Sequence, residues 1–365
     1  MSLKKGKFTI SDVKFMKFAI NLAKNNKGLT GTNPSVGCVV TKNNNIISYG
    51  STDIKGRPHA EVIALRKKGL NTKGATVYLT LEPCTHFGKT PPCTNQLIKS
   101  NIKKVIYSIE DIDERTFNKA KKILKKKKIT INSGLLKNEV KKLYRSYNFV
   151  KKKEMPYIIG KLACSSNFFI FNNSNFITNE ESRKVSHLLR YQNQGILTTY
   201  KTINKDNSKL TCRLNGLEKF SPKRLILDKN LKIKINSFVV KNSLKNKTII
   251  FHKSNNKKKI KLLKKSGLKL IYFNKTLNNN LNLSEILKKI YSMGIHTLLV
   301  EAGRTLIYDM LLKNLFNEFY LFQGQIIIKS KKRVNVIDIV RKLNKNFNKS
   351  LVETYLDKDK LIHYY

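Results

Sequence analysis

The sequence predicts an α/β protein with two consecutive domains, residues 1–150 and 151–365. Short runs rich in Val, Ile and Leu alternate with helical patterns along the chain, which is typical of α/β layers. A length of 365 residues is sufficient for two domains of ordinary size. The charged run Lys151–Glu154, followed by Pro156, interrupts the alternation, so we place the linker there.

The first domain is expected to begin with a helix. Ser11 or Asp12 can cap it, and apolar residues from Val13 to Ala23 follow at helical spacing. Strands are expected at 36–40, 46–49, 76–81 and 105–109. Further helices are expected at 60–68, at 94–99 and near 117–127.

The second domain has many candidate strands and few helices, which favours a largely parallel sheet of nucleotide-binding type. The strands are expected at 158–163, 195–199, 224–228, 248–251, 268–273, 297–300 and 318–322. The helices are expected at 180–190, 283–293 and 305–313. The Asn/Lys-rich stretches 204–209, 253–265 and 274–282 are interpreted as loops.

The net charge is +50, with 73 Lys+Arg against 23 Asp+Glu. Such an excess raises the hypothesis of a nucleic-acid-binding or editing protein. However, the basic residues are overwhelmingly Lys, extend from Lys4 to Lys360 and accompany Asn runs such as 43–45. This pattern favours a general compositional bias over a binding groove. No specific nucleic-acid partner is therefore expected, although the charge favours encounter with phosphorylated substrates.

The sequence also predicts a cytoplasmic protein with reduced thiols and no membrane partner. No apolar run approaches the ~18 residues that a membrane span needs. The N-terminus lacks the apolar core of a signal peptide. Five Cys in so long a chain are too few, and odd in number, for a secreted disulfide framework.

The strongest chemical signal is the His-Ala-Glu motif at 59–61, followed by two Pro-Cys steps that end at Cys84 and Cys93. Catalytic zinc takes three N or S ligands and leaves a fourth position for water, and His59, Cys84 and Cys93 supply such a set. His59 and Cys93 are expected at helix starts, where the helix dipole favours a thiolate. Because bound zinc lowers the pKa of water toward ~7, Glu61 is the expected carrier of the water proton to a departing amine.

The alternative is a pair of buried cysteines with an unrelated histidine, a structural role that we expect for Cys38 and Cys164. The zinc deaminases have the signature H-x-E…P-C-x-x-C. Here, eight residues separate Cys84 from Cys93 where the general signature has two.

Three segments of the first domain are distinctive: Asn33–Gly37, His59–Val62 and Leu81–Cys93, which contains the long insert. Together they resemble the deaminase half of the bifunctional riboflavin-biosynthesis deaminase/reductase family. The resemblance implies a cytidine-deaminase-like three-layer domain with the same three zinc ligands and the same proton shuttle. It also implies a diaminopyrimidinone substrate that carries a ribosylamino 5′-phosphate.

For other residues of the first domain, two interpretations remain. Asn33 would hydrogen-bond the substrate or form an Asn-Pro turn. His86 and Lys89 in the insert would contact the substrate phosphate or belong to a simple loop. Where the family has Asp-Pro-Asn-Pro after the fourth strand, this chain has Asp111-Ile112-Asp113-Glu114.

The resemblance continues through the second half in matching order, from Lys161–Ala163 through Arg224–Asp228 to Val300–Gly303. It implies a dihydrofolate-reductase-like fold in which NADPH reduces 5-amino-6-(5-phosphoribosylamino)uracil to the ribityl compound by hydride delivery to C1′. The substrate residues that it implies are Ser174, Arg190, Leu210, Arg213 and Glu301, in which the two arginines suit a phosphate. The NADPH residues that it implies are Ala163, Phe176, Thr202, Asp206, Gly303, Arg304, Thr305, Leu306, Ile307, Tyr308 and Asp309.

The second half also departs from the family pattern. The usual Ser-Leu-Asp-Gly reads Ser165–Phe168, which loses a carboxylate and a flexible glycine. Phe176 replaces a Trp, Asn207-Ser208 replaces Asp-Pro, and Lys229 replaces a Ser. These changes support an alternative, a monofunctional deaminase with a structural C-terminal domain, which would not bind NADPH. The resemblance as a whole favours the bifunctional enzyme and a homo-oligomer.

Overall fold

The structure, a computed structural model, divides the chain into a first unit (1–154) and a second unit (155–365). It describes residues 7–67, 69–170, 176–243, 247–274, 276–277, 280–329 and 333–365. The division lies beyond the predicted boundary at 150 because a helix continues through Lys153 before the chain bends. Within the described ranges, no helix is both long and apolar enough to cross a membrane.

The first unit contains a five-stranded mixed sheet. Its strands are β1 (Gly37–Lys42), β2 (Asn45–Ser51), β3 (Thr76–Leu81), β4 (Lys104–Ile109) and β5 (Thr130–Ser133). Its helices are α1 (Ile10–Asn25), α2 (Ala60–Leu65), α3 (Cys93–Lys99), α4 (Lys119–Lys126), α5 (Lys137–Leu143) and α6 (Arg145–Lys153). The order is β2-β1-β3-β4-β5, with β1 antiparallel to both neighbours and β3, β4 and β5 parallel. The predicted strands are confirmed, whereas β5, α5 and α6 were not predicted.

Two glycines allow helices to pack closely on opposite faces of this sheet. A Cβ atom on Gly37 would lie 1.8 Å from the carbonyl oxygen of Ala19 in α1, and one on Gly50 would lie 2.7 Å from that of Ala60 in α2. Gly50 pairs with Cys38, the residue after Gly37, so Gly37 and Gly50 face opposite sides. The expected three-layer architecture is therefore confirmed.

The predicted cap of α1 is wrong. Thr9 caps this helix, since its Oγ1 accepts a hydrogen bond from the Asp12 N–H at 3.1 Å. In return, Asp12 Oδ2 accepts one from the Thr9 N–H at 2.8 Å. This reciprocal arrangement is a capping box, in which the acidic residue occupies the third helical position rather than the cap.

The second unit contains a nine-stranded sheet and two small two-stranded sheets. Its strands are β6 (Tyr157–Cys164), β7 (Phe169–Ile170), β8 (Gly195–Thr199), β9 (Lys223–Leu227), β10 (Ile249–His252), β11 (Lys269–Tyr272), β12 (Thr276–Leu277), β13 (Asn280–Leu281), β14 (Thr297–Glu301), β15 (Glu318–Gln323), β16 (Val334–Asn335), β17 (Lys349–Leu351) and β18 (Lys360–Tyr364). Its described helices are α7 (Glu180–Tyr191), α8 (Tyr200–Asp206), α9 (Phe238–Lys241), α10 (Lys257–Lys265), α11 (Leu283–Ser292), α12 (Arg304–Leu312) and α13 (Ile337–Asn346).

The large sheet has the order β11-β10-β9-β8-β14-β6-β15-β18-β17. Its strands are parallel from β11 to β15, and the last two, β18 and β17, pair antiparallel. The predicted largely parallel sheet is therefore confirmed. The carboxyl ends of the parallel strands lie along one edge, which is where open α/β sheets bind ligands.

Alternate residues of the large sheet face two separate cores. In β14, Leu298 and Val300 pack with α11 and α12, whereas Leu299 packs on the other side with Leu263 of α10. Helices therefore cover both faces of the sheet, as parallel strands require.

The prediction that 253–265 forms a loop is wrong, because most of it forms α10. The Asn256 side chain caps this helix by accepting a hydrogen bond from the Lys259 N–H at 2.9 Å. Leu263 is fully buried, with Ile260 packed beside the same core. Two apolar positions were therefore sufficient to fix a helix whose Lys-rich composition resembles a loop. The other two predicted loops, 204–209 and 274–282, also contain parts of α8 and of the β12–β13 pair.

Candidate functional site

Three side chains that can bind a metal meet in the first unit. His59 is the N-cap of α2, Cys93 is the first residue of α3, and Cys84 follows β3. His59 Nδ1 lies 3.3 Å from Cys93 Sγ and 3.7 Å from Cys84 Sγ, and one ligand atom from each residue lies within 4.8 Å of the others. Tetrahedral zinc with N and S ligands separates them by about 3.5–3.8 Å. The geometry and the donor types therefore both fit zinc.

The surroundings of this cluster favour a thiolate and a buried acid. The backbone N–H of Cys93 donates to Cys84 Sγ at 3.2 Å. Hydrogen bonds from Cys93 and His59 lower the pKa of Cys84 to about 4. Glu61, in the first turn of α2, is only 4% exposed, and burial raises its pKa to about 6. These residues can therefore bind a cation and exchange a proton beside it.

A buried carboxylate that the sequence analysis did not identify, Glu82, organises the neighbouring loop. It follows β3 directly and accepts hydrogen bonds at 3.1–3.3 Å from the backbone N–H groups of Asp111, Asn118 and Ala120. The loop that it holds brings Thr116 Oγ1 within 3.2 Å of His86 Nδ1 in the insert. An acidic residue directly after a strand that is buried over nearly its whole length was the signal that could have identified it.

The segment Asp111–Glu114 forms an ordered turn without the prolines of the family. The Asp113 N–H donates to Asp111 Oδ1 at 3.1 Å. The Asp113 carboxylate accepts from Arg115 Nε at 2.8 Å and Nη2 at 2.6 Å. The Arg115 guanidinium holds the pKa of Asp113 well below its ordinary value. An ion pair therefore supports the turn at this departure from the family pattern.

The remaining predicted residues of the first unit lie around the insert or before β1. Asn33 Nδ2 donates to the Gly56 carbonyl at 2.8 Å, so this amide group supports a turn. Lys89 is exposed. Arg57, which the sequence analysis did not identify, donates through Nη1 to Thr90 Oγ1 of the insert. A basic side chain therefore joins the insert to the segment that precedes His59.

The second unit contains a cleft of about 950 Å³ at the carboxyl ends of its parallel strands. Its volume lies near the upper end for small-molecule sites. The predicted cofactor residues that line it are Ala163, Thr202, Asp206, Gly303, Arg304, Thr305, Leu306 and Asp309. The predicted substrate residues that line it are Arg190, Leu210 and Glu301. The structure thus brings most of the predicted residues of this half into one cavity.

Three predicted residues are placed differently. Ile307 is on the fully buried face of α12, in the core of the unit. The Arg304 guanidinium lies 5.3 Å from the centroid of the Tyr308 ring. Arg213 is exposed and is absent from the cleft lining. Their proposed ligand contacts stay predictions.

Two further predicted residues, Ser174 and Phe176, follow β7 in the chain. Ser174 is outside the described residues. Phe176 is 71% exposed and packs against Arg183, whose guanidinium is 4.3 Å from the ring centroid. Phe176 does not line the cleft, so its contact with a cofactor also stays a prediction.

Glu301 is the centre of a buried charge cluster in the cleft. Arg190 donates to it from Nε and Nη2 at 2.7 and 2.9 Å, and Lys161 Nζ lies 3.9 Å away. Burial alone would raise the pKa of Glu301, but Arg190 and Lys161 lower it to about 2. Burial lowers the pKa of Lys161. The carboxylate is therefore ionised and held in place.

The cleft also carries lysines to which the sequence analysis gave no role. These are Lys161, Lys201, Lys205, Lys229 and Lys313. Lys161 had a detectable signal, because a lysine within a buried parallel strand is unusual. The others were hidden by the high Lys content of the whole chain.

Comparisons with known proteins match both domains. Residues 9–109 match the cytidine and deoxycytidylate deaminase zinc-binding region, and residues 171–354 match the RibD C-terminal domain. The chain is 37% identical over 319 residues to riboflavin biosynthesis protein RibD of Aquifex aeolicus, covering 85% of this chain and 86% of that one. The chain belongs to the RibD family.

Solved RibD structures support this assignment over nearly the whole length. RibD of Acinetobacter baumannii superposes with a TM-score of 0.78 at 26% identity and covers 97% of this chain and 98% of its own. A diaminohydroxyphosphoribosylaminopyrimidine deaminase/5-amino-6-(5-phosphoribosylamino)uracil reductase of Thermotoga maritima gives a TM-score of 0.79 at 29% identity, with the same coverage. The chain is thus a bifunctional deaminase/reductase of riboflavin biosynthesis, with both domains present.

Proposed function

We propose that the first domain deaminates 2,5-diamino-6-ribosylamino-4(3H)-pyrimidinone 5′-phosphate. The second domain then reduces the product, 5-amino-6-(5-phosphoribosylamino)uracil, to its ribityl form with NADPH. The name of the Thermotoga relative states both activities. The observation that carries the proposal is the convergence of His59, Cys84 and Cys93 beside the buried Glu61.

For the first step, His59, Cys84 and Cys93 would hold zinc, which supplies a water activated for attack on the amine-bearing carbon. Glu61 lies in the turn of α2 that follows His59, so its carboxylate can take a proton from that water. It then delivers this proton to the leaving amine. One water is consumed and one ammonia is released, while the ring carbon gains a carbonyl oxygen.

The substrate phosphate would be bound at the insert. His86, Lys89 and Arg57 supply cationic or donor groups on or beside this segment. The Glu82-held loop supports His86 through Thr116. Phosphate oxygens accept strong charge-assisted hydrogen bonds from such groups.

For the second step, the cleft fits a phosphate-bearing dinucleotide. A Cβ atom on Gly303 would meet no atom within 4 Å, so the start of α12 opens onto free space there. Backbone N–H groups at such a helix start bind phosphate, and Lys201, Lys205 and Lys229 add positive charge. NADPH, when bound, supplies the hydride for C1′ of the sugar. Glu301 would hold the substrate in the orientation that Arg190 and Lys161 impose on its carboxylate.

The test follows NADPH oxidation optically after the deaminase substrate is added to the purified chain. The wild type should oxidise NADPH only when this substrate is present. Glu61→Gln should retain zinc and lose this oxidation, because its ligands remain and the proton carrier is gone. The same variant should oxidise NADPH when the deaminated product is supplied directly.

Each outcome that contradicts the proposal identifies which part of it is wrong. Ammonia release by the wild type without NADPH oxidation would refute the reductase assignment. Loss of zinc from Glu61→Gln would refute its role as proton carrier, because the residue would then be needed for the metal. Failure of Glu61→Gln with the deaminated product would show damage beyond the first site.

A further inference from the structure

Arg224 is the largest fully buried side chain among the described residues. It lies in β9, and its guanidinium faces no carboxylate among its hydrogen-bond partners. Nη2 donates to the Asn242 carbonyl at 2.7 Å and Nη1 to the Lys209 carbonyl at 3.4 Å. Nε has no partner among the described residues. Burial lowers the pKa of Arg224 to about 10.

Stability alone does not explain a buried arginine of this kind. A buried cation without a counter-ion loses its hydration, and an apolar side chain of similar volume would usually be at least as stable. The two carbonyl groups that Arg224 reaches therefore indicate what it does. One belongs to Asn242, which ends α9, and the other belongs to Lys209, which precedes a cleft residue.

That cleft residue, Leu210, has a strained backbone. Its φ is +54°, in the left-handed region that non-glycine residues rarely adopt, and its side chain is 3% exposed. Such a conformation persists only where the surroundings fix it. Arg224 fixes the carbonyl immediately before Leu210, and Lys209 Nζ also lies 5.3 Å from the Phe238 ring centroid of α9.

The carbonyl on the other side of Leu210 is fixed as well. Thr211 O accepts from Arg190 Nη1 at 3.1 Å and lies 3.1 Å from His187 Nδ1. Burial, with Arg190 and Arg213 nearby, lowers the pKa of His187 to about 4, so its imidazole is neutral and Nδ1 can donate. Arg190 in turn is bound to Glu301. The backbone on both sides of the strained residue is thus held by an arginine, Arg224 before it and Arg190 after it.

We propose that Arg224 is a positioning residue of the reductase, which acts through the Lys209 carbonyl to hold Leu210 and the following residues against the substrate. This inference rests on the proposed function, because the substrate contacts that the family resemblance implies for Leu210 and Arg213 exist only if this unit is the reductase. The segment 207–213 has a second tie to α9, since Asn207 Oδ1 accepts from the Phe238 N–H at 2.8 Å. Loss of either tie should therefore affect substrate binding more than cofactor binding.

The test compares Arg224→Met and Arg224→Lys with Leu343→Ala, a control that perturbs the other core of the same unit, to which Leu210 does not belong. In the full chain, three quantities are measured: KM for 5-amino-6-(5-phosphoribosylamino)uracil, Kd for NADPH by fluorescence, and deaminase turnover. Arg224→Met should raise this KM about tenfold, as expected for loss of a charged hydrogen bond. NADPH affinity and deaminase turnover should not change. Arg224→Lys should restore part of the KM, since an ammonium can reach one carbonyl.

Leu343→Ala should lower the melting temperature without raising KM. A folded Arg224→Met protein with unchanged KM would overturn the proposal. So would a parallel loss of NADPH affinity, which would indicate general loosening of the unit. If Arg224→Met does not fold, Asn207→Gly replaces it in the test. This variant should fold, because Asn207 is exposed and its φ of +43° suits glycine. An unchanged KM in that variant would also overturn the proposal, whereas a wild type that never oxidises NADPH would refute the proposed function itself.

Discussion

Arg190 forms a bidentate ion pair with Glu301, with Nε 2.7 Å from Oε1 and Nη2 2.9 Å from Oε2. The two side chains are 13% and 11% exposed. The third nitrogen of the guanidinium, Nη1, donates to the Thr211 carbonyl at 3.1 Å. Each nitrogen of Arg190 therefore already has a protein partner. This geometry favours a role in holding Glu301 and the Leu210 region, whereas the phosphate contact expected from the sequence stays a prediction.

The Glu301 pair predicts a specific pH dependence of stability. Because the folded-state pKa of Glu301 is about 2 and the ordinary value is 4.5, its stabilising effect is present above pH 4.5 and is lost as the pH falls toward 2. The full effect is about 3 kcal/mol. Glu301→Gln has no such titration. The difference in unfolding free energy between wild type and Glu301→Gln should therefore shrink as the pH is lowered through this range.

Urea unfolding of the second unit at several pH values measures this difference. Glu353→Gln, at an exposed site, is the matched control. A gap between wild type and Glu301→Gln that stays constant with pH would contradict the prediction.

The metal cluster predicts different effects for two cysteines of the first unit. Cys84→Ala should lose zinc after gel filtration, because it removes one of three ligands. Cys38→Ala should retain about one zinc per chain, because Cys38 is a core residue outside the cluster. Elemental analysis measures both. Chelation of the wild type should lower the melting temperature of the first unit, and equal zinc in both variants would contradict the ligand assignment.

The hydrogen bonds of Glu82 predict that its loss lowers both the stability of the first unit and the deaminase activity. Glu82→Ala leaves three backbone N–H groups without their acceptor, which should lower the unfolding free energy of the first unit by about 3 kcal/mol. Deaminase activity should fall, because the same loop contacts His86. Glu114→Ala, in the same loop but exposed, should change neither quantity. Chemical unfolding together with an ammonia-release assay distinguishes these outcomes, and a Glu82→Ala protein of wild-type stability would contradict the prediction.

The open space beside Gly303 predicts that a substitution there lowers cofactor affinity without lowering stability. An alanine methyl group at this position meets no protein atom within 4 Å, and the φ of −70° suits any residue. Gly303→Ala should therefore melt at the wild-type temperature. The methyl group would, however, occupy space that the NADPH phosphates need, so Kd should rise about tenfold. Fluorescence titration measures this Kd, and an unchanged value would place the phosphates elsewhere.

The metal cluster was the most predictable part of the site. His59, Cys84 and Cys93 are diagnostic by residue type and spacing, and two of them occupy helix starts that the local sequence also indicates. Most strands were also predictable, because a run such as 76–81 is mostly apolar and rich in residues that favour strands. Helix α10 was not, because its buried face consists of few residues among many lysines.

The sequence by itself determined the two-domain α/β class, the three side chains of the candidate metal cluster and the family, because each depends on residues close together in the chain or on a distinctive motif. Only the tertiary structure revealed that Arg190 is committed to Glu301, that Glu82 holds a loop and that Arg224 is buried beneath a strained Leu210. These contacts join residues up to 111 positions apart. Their partners depend on strand order and packing rather than on local hydrophobic periodicity. An arginine that forms a buried ion pair and a buried arginine without a carboxylate partner therefore look the same in the local sequence.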